Sequence, residues 1–207
     1  MELGILNKEQ KIAVEHKKGP LLVLSGAGTG KTRVLTSRFV YIVKNLNVKF
    51  NKIIAVTFTN KAANEIKERV KTELHSNIDT PWVGTFHSIF AKFLRKHSGL
   101  VNLKSNFSIL DIEDQKKLLK QVLEYFKIDK DISESIYHSE IQNLKDNKIL
   151  FNENKKISKF SSIERLDDIY SYYQQRLIEI NAVDFGDILL HSYQILSNNP
   201  DIKKSYQ

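Results

Sequence analysis

The 207-residue chain contains no cysteine, three prolines, eight glycines and one tryptophan. Without thiols it forms no disulfide, no thiolate zinc centre and no cysteine nucleophile, although this does not fix the compartment. So little Pro and Gly leaves no flexible linker, and there is no internal repeat or low-complexity tract. No apolar run approaches the roughly 18–20 residues that span a bilayer. The start, MELGILNKEQ, lacks a basic stretch followed by an apolar core. No secretory leader is expected, and a soluble cytoplasmic protein is the default. What is present is 41% hydrophobic and 27% charged residues, the balance of a folded globular protein rather than a disordered one. Formal net charge is +8, a surplus that suits a polyanionic partner such as nucleic acid and equally suits a lysine-rich solvated surface.

Two regimes follow one another along the chain. To about residue 110, apolar runs alternate with helical patterns. LLVLSG (21–26), IIAVTF (53–58) and WVGTF (82–86) read as strands. Between them, Leu35, Phe39, Ile42 and Leu46 form one helical face, and Ala62, Ile66, Val70 and Leu74 another. Phe90, Phe93 and Leu94 begin a third. Such alternation predicts an α/β fold, a mostly parallel sheet with helices on both faces. Beyond residue 110 the pattern is helical, with one stripe at Leu118, Leu119, Val122, Leu123 and Phe126. A second stripe runs through Leu166, Ile169, Tyr173, Leu177 and Ile180. The polar stretch at about 145–162 reads as a loop. A last helix is expected from Asp184 to about Leu196.

Ser25-Gly26-Ala27-Gly28-Thr29-Gly30-Lys31-Thr32 follows an expected strand and opens an expected helix. That is the setting of a phosphate-binding loop. Glycines let backbone N–H groups curl around phosphate oxygens, and the helix N-terminus adds partial positive charge. Lys31 can place its ammonium on the β- and γ-phosphates, and Thr32 can hold Mg2+ through its hydroxyl. The first position of the G-x-x-x-x-G-K-[ST] pattern is Ser25 rather than Gly. The competing reading is a glycine-rich turn that binds nothing. Upstream, Gln10 carries an amide whose donor and acceptor match an adenine edge, or which is simply solvated.

In α/β sheets, sites gather beyond the carboxyl ends of strands. TFTNKAA (57–63) and GTFHS (84–88) stand at two such ends. Each puts an aromatic, Phe58 or Phe86, beside short hydroxyl residues and a basic or imidazole group, Lys61 or His87. An aromatic among small polar groups suits single-stranded nucleic acid, where rings stack on bases. Each aromatic taken alone reads better as core, and it is their shared sheet edge with the glycine-rich loop that favours a nucleic-acid role. Asn60 and Ser88 are candidate N-caps, and Lys61 is a cation that opposes the helix dipole unless an anion is near.

In order, LNKEQ, GAGTGKT, TFTNKAANEI, GTFHS, NFSILD and VDFGDIL resemble the UvrD/Rep/PcrA group of superfamily 1 DNA helicases over essentially the whole chain. The resemblance implies a P-loop (RecA-like) fold with an α-helical insertion, and ATP-driven 3′-to-5′ movement on single-stranded DNA and at single-strand/duplex junctions. It implies ATP and Mg2+ as cofactors, with Gln10 and Ser25 to Arg33 (Ser25, Gly26, Ala27, Gly28, Thr29, Gly30, Lys31, Thr32 and Arg33) on the nucleotide. Lys31 and Thr32 are the catalytic pair it implies. It assigns Phe58, Thr59, Asn60, Lys61, Thr85 and His87 to DNA. It divides the chain into subdomain 1A (1–110 and 184–207) and a helical 1B (111–183).

Such an ATPase needs an acidic residue after an apolar strand to hold Mg2+ and orient water. FSILDIED and VDFGD carry acids, but Asp111 reads better as an N-cap, and VDFGD passes directly into helical spacing. The acid pair implied by the resemblance is absent from the sequence, so the chain is expected to be an N-terminal part of a helicase, unable to hydrolyse ATP alone. Two other classes compete. A small P-loop kinase would carry clustered arginines in its lid, yet residues 111–183 hold only Arg165 and Arg176. A non-enzymatic nucleotide- or DNA-binding module would need only the loop and the basic surface.

Overall fold

A computed structural model describes residues 6–26, 28–75, 82–129, 133–151 and 163–206. Ala27 and the part of the expected loop at 152–162 lie outside them. The chain forms two compact units, Met1–Ile89 and Phe90–Gln207. The expected boundaries at 110/111 and 183/184 both fall inside the second.

The first unit comprises α1 (Lys8–Glu15), α2 (Lys31–Asn45), β1 (Ala55–Thr57), α3 (Asn60–Leu74) and β2 (Val83–Thr85). β1 and β2 pair in parallel, Ala55 opposite Val83 and Thr57 opposite Thr85, with α3 as the crossover. Phe39, Ala55, Ile66, Val70 and Val83 form the core beneath them. Ala13, Val14 and Val34 seal α1 onto α2. Because α2 packs against two neighbours, its buried arc is rotated from the expected face. Val34, Phe39 and Val40 are inside, whereas Leu35 and Leu46 are exposed.

The expected strand at 21–26 is not formed. Leu22 and Leu24 are 80% and 84% exposed, and the run pairs with neither β1 nor β2. An apolar run becomes a strand only when a partner takes its backbone groups and covers its faces. Among the described residues the fold is therefore a helix-rich α/β arrangement with two two-stranded parallel sheets.

The second unit begins in α4 (Phe86–His97), which continues from β2. It adds β3 (Ser108–Ile109), α5 (Ile112–Tyr125), α6 (Glu134–Asp146), α7 (Leu166–Glu179), β4 (Ala182–Val183), α8 (Phe185–Asn198) and α9 (Pro200–Ser205). β3 and β4 pair in parallel. Both expected stripes are buried: Leu119 and Val122 of α5 meet Ile169, Tyr173 and Leu177 of α7, with Tyr137 and Ile141 of α6. Ile180, expected to extend the second stripe, is exposed because α7 ends at Glu179.

Lys145 was expected in a loop; it is instead the penultimate residue of α6 and fully buried. Its Nζ meets Asp184 Oδ2 at 2.5 Å and Asp187 Oδ1 at 2.8 Å, and donates to Gln174 Oε1 at 2.8 Å. Gln142 and Tyr173 donate to Asp184 Oδ2 at 3.0 and 3.2 Å, and Gln174 donates to Asp187 Oδ1 at 2.9 Å. The close crossing of α6 and α8 runs over Gly186, where a Cβ would stand 2.7 Å from Gln142 Oε1 and 2.9 Å from Lys145 Cδ. The ion pairs Glu65–Arg69, Asp114–Lys117 and Glu179–Arg176 are solvent-facing, and such pairs contribute about 0–1 kcal/mol. Among the ion pairs described, the Lys145 cluster carries the largest electrostatic stake.

Burial pushes the Asp184 carboxyl up, but attraction to Lys145 and hydrogen bonds from Lys145, Asp187 N–H and Gln142 outweigh it and hold it below the usual carboxylate range. Burial pushes the His97 imidazole below its usual range, helped by Lys96. Burial likewise lowers His138, with Asp184 opposing and Lys116 and Lys145 assisting. All three groups bind protons less readily folded than unfolded, so each contributes stability at neutral pH that acid removes. Stability of the chain in urea titrations is expected to fall in two stages. The first begins below about pH 6.5 as the unfolded histidines take protons, and the second below about pH 4 as the unfolded aspartate does. A flat profile from pH 7 to 3 would contradict the burial of these groups.

Candidate nucleotide and nucleic-acid site

The glycine-rich loop before α2 curls as its glycines allow. Gly28 and Gly30 have φ of 75° and 89°, in the left-handed region where a Cβ is strained. Ser25 is not among the residues of positive φ, so its position does not require the glycine of the general pattern. The N-cap of α2 is Gly30, which supplies no side-chain acceptor. The first N–H groups of a 15-residue helix are thus left without a side-chain cap, directed at whatever lies beyond its N-terminus. Lys31 Nζ donates to Gly26 O at 2.6 Å and Ser25 O at 3.2 Å, spanning the loop from its last residue to its first. Thr29 Oγ1 donates to Gly26 O at 2.8 Å. Arg33 is exposed and Thr32 half-buried at the start of α2. Beside Lys31 lies a cleft of about 370 Å3 lined by Ala13, Leu21, Val23, Val34 and Arg38, within the size range of small-molecule sites.

Gln10 is brought to this loop. Asn7 and Gln10 form a reciprocal capping box at the start of α1, and Gln10 Nε2 donates to Thr29 O at 3.0 Å. The N-x-x-Q spacing of that box was legible in the sequence and marks the helix start; α1 and the role of Asn7 were missed.

The second group forms at the paired strand ends. With Thr57 opposite Thr85, the carboxyl ends of β1 and β2 lie side by side, so residues 58–61 and 86–87 leave the same edge. Phe58 is 97% exposed, and Thr59, Asn60, Lys61, Phe86 and His87 are exposed as well. Neither ring is a core residue. The caps fall one and three residues earlier than expected. Thr59, not Asn60, accepts from Ala62 N–H at 3.2 Å, and Thr85, not Ser88, accepts from Ser88 N–H at 3.3 Å. Each threonine is the last extended residue before its helix, which is the N-cap geometry. Asn60 and Lys61 are thereby released to face outward from the first turn of α3. The basic surplus lies in this unit: residues 1–89 hold 14 lysines and arginines against 7 acidic residues, whereas 90–207 hold 18 against 17.

A glycine loop at a helix start and two polar-aromatic strand ends, all in one basic unit, agree with a comparison of the whole sequence. The profile of the UvrD/REP helicase N-terminal domain matches residues 6–207. The chain belongs to this family. Among UvrD/REP relatives, it is 36% identical over 207 residues to the ATP-dependent DNA helicase PcrA of Staphylococcus aureus, covering 99% of this chain and 28% of that protein. It is 41% identical over 206 residues to a probable DNA helicase II homolog of Rickettsia felis, covering 98% and 31%. The chain thus spans about three-tenths of the length of these relatives.

Both acidic decoys have structural roles in this UvrD/REP chain. Asp111 Oδ1 accepts from Asp114 N–H at 2.9 Å and caps α5. Asp184 and Asp187 cap α8 reciprocally while holding Lys145. Among the described residues no group of three His, Cys, Asp or Glu could hold a metal, and neither strand end of the first unit carries a carboxylate. The left-handed Gly28 and Gly30, the Lys31 ammonium and the start of α2 without a side-chain cap are groups that a triphosphate would use. For Mg2+ the implied residue is Thr32 alone, so phosphate oxygens and water would have to complete its shell. No described helix is long and apolar enough to cross a membrane.

Proposed function

We propose that the chain is the nucleotide-binding and DNA-contacting N-terminal part of an ATP-dependent DNA helicase of the UvrD type, cytoplasmic and moving 3′ to 5′ on single-stranded DNA in repair or replication. In this reading Ser25 to Arg33, Ala27 included, hold the triphosphate; Lys31 neutralises it and Thr32 ligates Mg2+, with Gln10 beside the loop. Phe58, Thr59, Asn60, Lys61, Thr85 and His87 meet the strand, and single-strand/duplex junctions are the working substrate. The run 21–26 becomes a strand of a continuous P-loop (RecA-like) sheet when a neighbouring strand covers it. Residues 1–110 and 184–207 are subdomain 1A and 111–183 the helical 1B. The absence of a carboxylate at either strand end of the first unit supports a second, narrower statement: this chain by itself binds nucleotide and DNA without turning ATP over.

The observation that carries the reading is Phe58, almost wholly exposed at a strand end, next to Asn60 and Lys61 on a basic unit. A ring this exposed adds nothing to the core, so its replacement leaves folding intact. Base stacking on an aromatic is worth about 1–3 kcal/mol, so Phe58→Ala is expected to weaken single-stranded DNA binding about tenfold with an unchanged melting temperature. Fluorescence anisotropy across a salt series checks it. Wild-type affinity should fall with a log–log slope near −0.7 per neutralised phosphate. An unchanged dissociation constant in the folded variant would sink the stacking role, and no binding at low salt would sink the DNA reading.

A further inference from the structure

Phe58 is 97% exposed, so its neighbours do not hold the ring. Its direction is set by the backbone that carries it. A contact residue that is free to move loses that freedom on binding, and the ordering lowers affinity.

The chain on both sides of the ring is fixed. Before it, Thr57 is the last residue of β1 and pairs with Thr85 of β2. After it, Thr59 is the N-cap of α3, extended at φ −126° and ψ 146°. Thr59 Oγ1 accepts from Ala62 N–H at 3.2 Å, and its carbonyl accepts from Ala63 N–H at 3.1 Å. Phe58 is thus the single residue between a paired strand and a capped helix. Its own φ and ψ are the soft torsions that decide where the ring goes.

One hydrogen bond closes across that residue. Thr57 Oγ1 donates to Thr59 O at 2.9 Å. Serine and threonine hydroxyls make such local bonds to the backbone in turns. Donor and acceptor lie one residue to either side of Phe58, so the bond ties its φ and ψ together. Neither the pairing of β1 nor the cap of α3 uses the Thr57 hydroxyl; the geometry of Phe58 does. A hydroxyl has one proton to give, and that of Thr57 is committed to Thr59 O rather than to a phosphate. At the other strand end the corresponding contact differs. Ser88 Oγ reaches back from within α4 to Thr85 O at 2.9 Å and spans two residues.

We propose that Thr57 is a positioning residue for single-stranded DNA: its hydroxyl bridges Phe58 and orients the exposed ring for a base before the strand arrives, without touching the DNA itself. This rests on Phe58 being a stacking residue, as proposed above.

The test is a double-mutant cycle on the 207-residue chain, read by fluorescence anisotropy with a labelled dT oligonucleotide. Thr57→Val keeps the branched shape and removes the hydroxyl, whereas Thr57→Ser keeps the hydroxyl. Thr57→Val is expected to weaken binding about fivefold, the scale of one net hydrogen bond, and Thr57→Ser to bind as the wild type does. In a Phe58→Ala background the same Thr57→Val change should have no effect, because no ring is left to orient. The log–log salt slope should keep its wild-type value, since neither the hydroxyl nor the ring neutralises a phosphate. Amide hydrogen exchange at Phe58–Asn60 reads the bridge without DNA, faster in Thr57→Val and unchanged in Thr57→Ser. An equal loss with and without the Phe58 ring, or a changed salt slope, would make Thr57 a contact or a fold residue in its own right and overturn the proposal. Wild-type affinity in folded Thr57→Val would overturn it too, as would a Thr57→Val chain without a cooperative melt. Phe58→Ala binding as tightly as the wild type would instead overturn the stacking reading, and the proposal with it.

Discussion

Lys145→Met is expected to destabilise the second unit by about 3–5 kcal/mol, because it leaves two carboxylates buried without their cation. Lys145, Asp184 and Asp187 have side chains 0–1% exposed, so water does not replace the lost ammonium. Two carboxylates around one lysine leave a net negative charge in the interior. It is tolerated because Asp184 and Asp187 sit at the N-terminus of α8, accept each other's N–H at 2.9 and 3.1 Å, and receive donors from Gln142, Tyr173 and Gln174. Those donors survive the substitution, which places the loss nearer the lower limit. Urea titration followed by circular dichroism measures it. A triple variant, Lys145→Met with Asp184→Asn and Asp187→Asn, should recover much of the loss, since no uncompensated charge remains. A loss below about 1 kcal/mol would mean that the cluster behaves like a surface ion pair.

The second large effect is expected at the phosphate loop. Lys31→Ala should weaken ATP binding about a hundredfold, the scale of a charge-assisted contact to phosphate. In the free protein the ammonium bridges Gly26 O and Ser25 O from an exposed position, and such contacts contribute little to folding. Melting temperature should therefore stay constant while affinity falls, which separates a ligand role from a structural one. The same chain should show no steady-state ATP turnover with single-stranded DNA, because neither strand end of the first unit offers a carboxylate to orient water. DNA-stimulated turnover that disappears in Lys31→Ala would refute that statement while supporting the nucleotide site.

The readings that succeeded from sequence were local ones. Gly28, Gly30 and Lys31 make the loop because consecutive residues impose their own backbone. Asp111 caps its helix through a partner three residues away. The stripes on α5 and α7 are periodic in the chain itself. The family's motif order was likewise readable, since each motif is a contiguous run.

What the sequence could not determine depends on pairings across long separations. LLVLSG has the composition of a strand, yet a strand exists only where another strand accepts its hydrogen bonds, and none among the described residues does so. Lys145 reads as one more lysine in a polar stretch. Only the crossing of α6 over α8 at Gly186 brings it to carboxylates 39 and 42 residues further on, and burial then turns an ordinary cation into the centre of a network. Gln10 is a residue whose amide suits many partners. Its place 19 residues from Thr29 in the chain and 3.0 Å from it in space was settled by the packing of α1 on α2. Local backbone preference thus determined the glycine turn before α2, the Asp111 cap and the stripes on α5 and α7. Tertiary packing decided which of the polar side chains hold a structure and which are left to meet a ligand, because desolvation and hydrogen-bond geometry exist only once the elements have met.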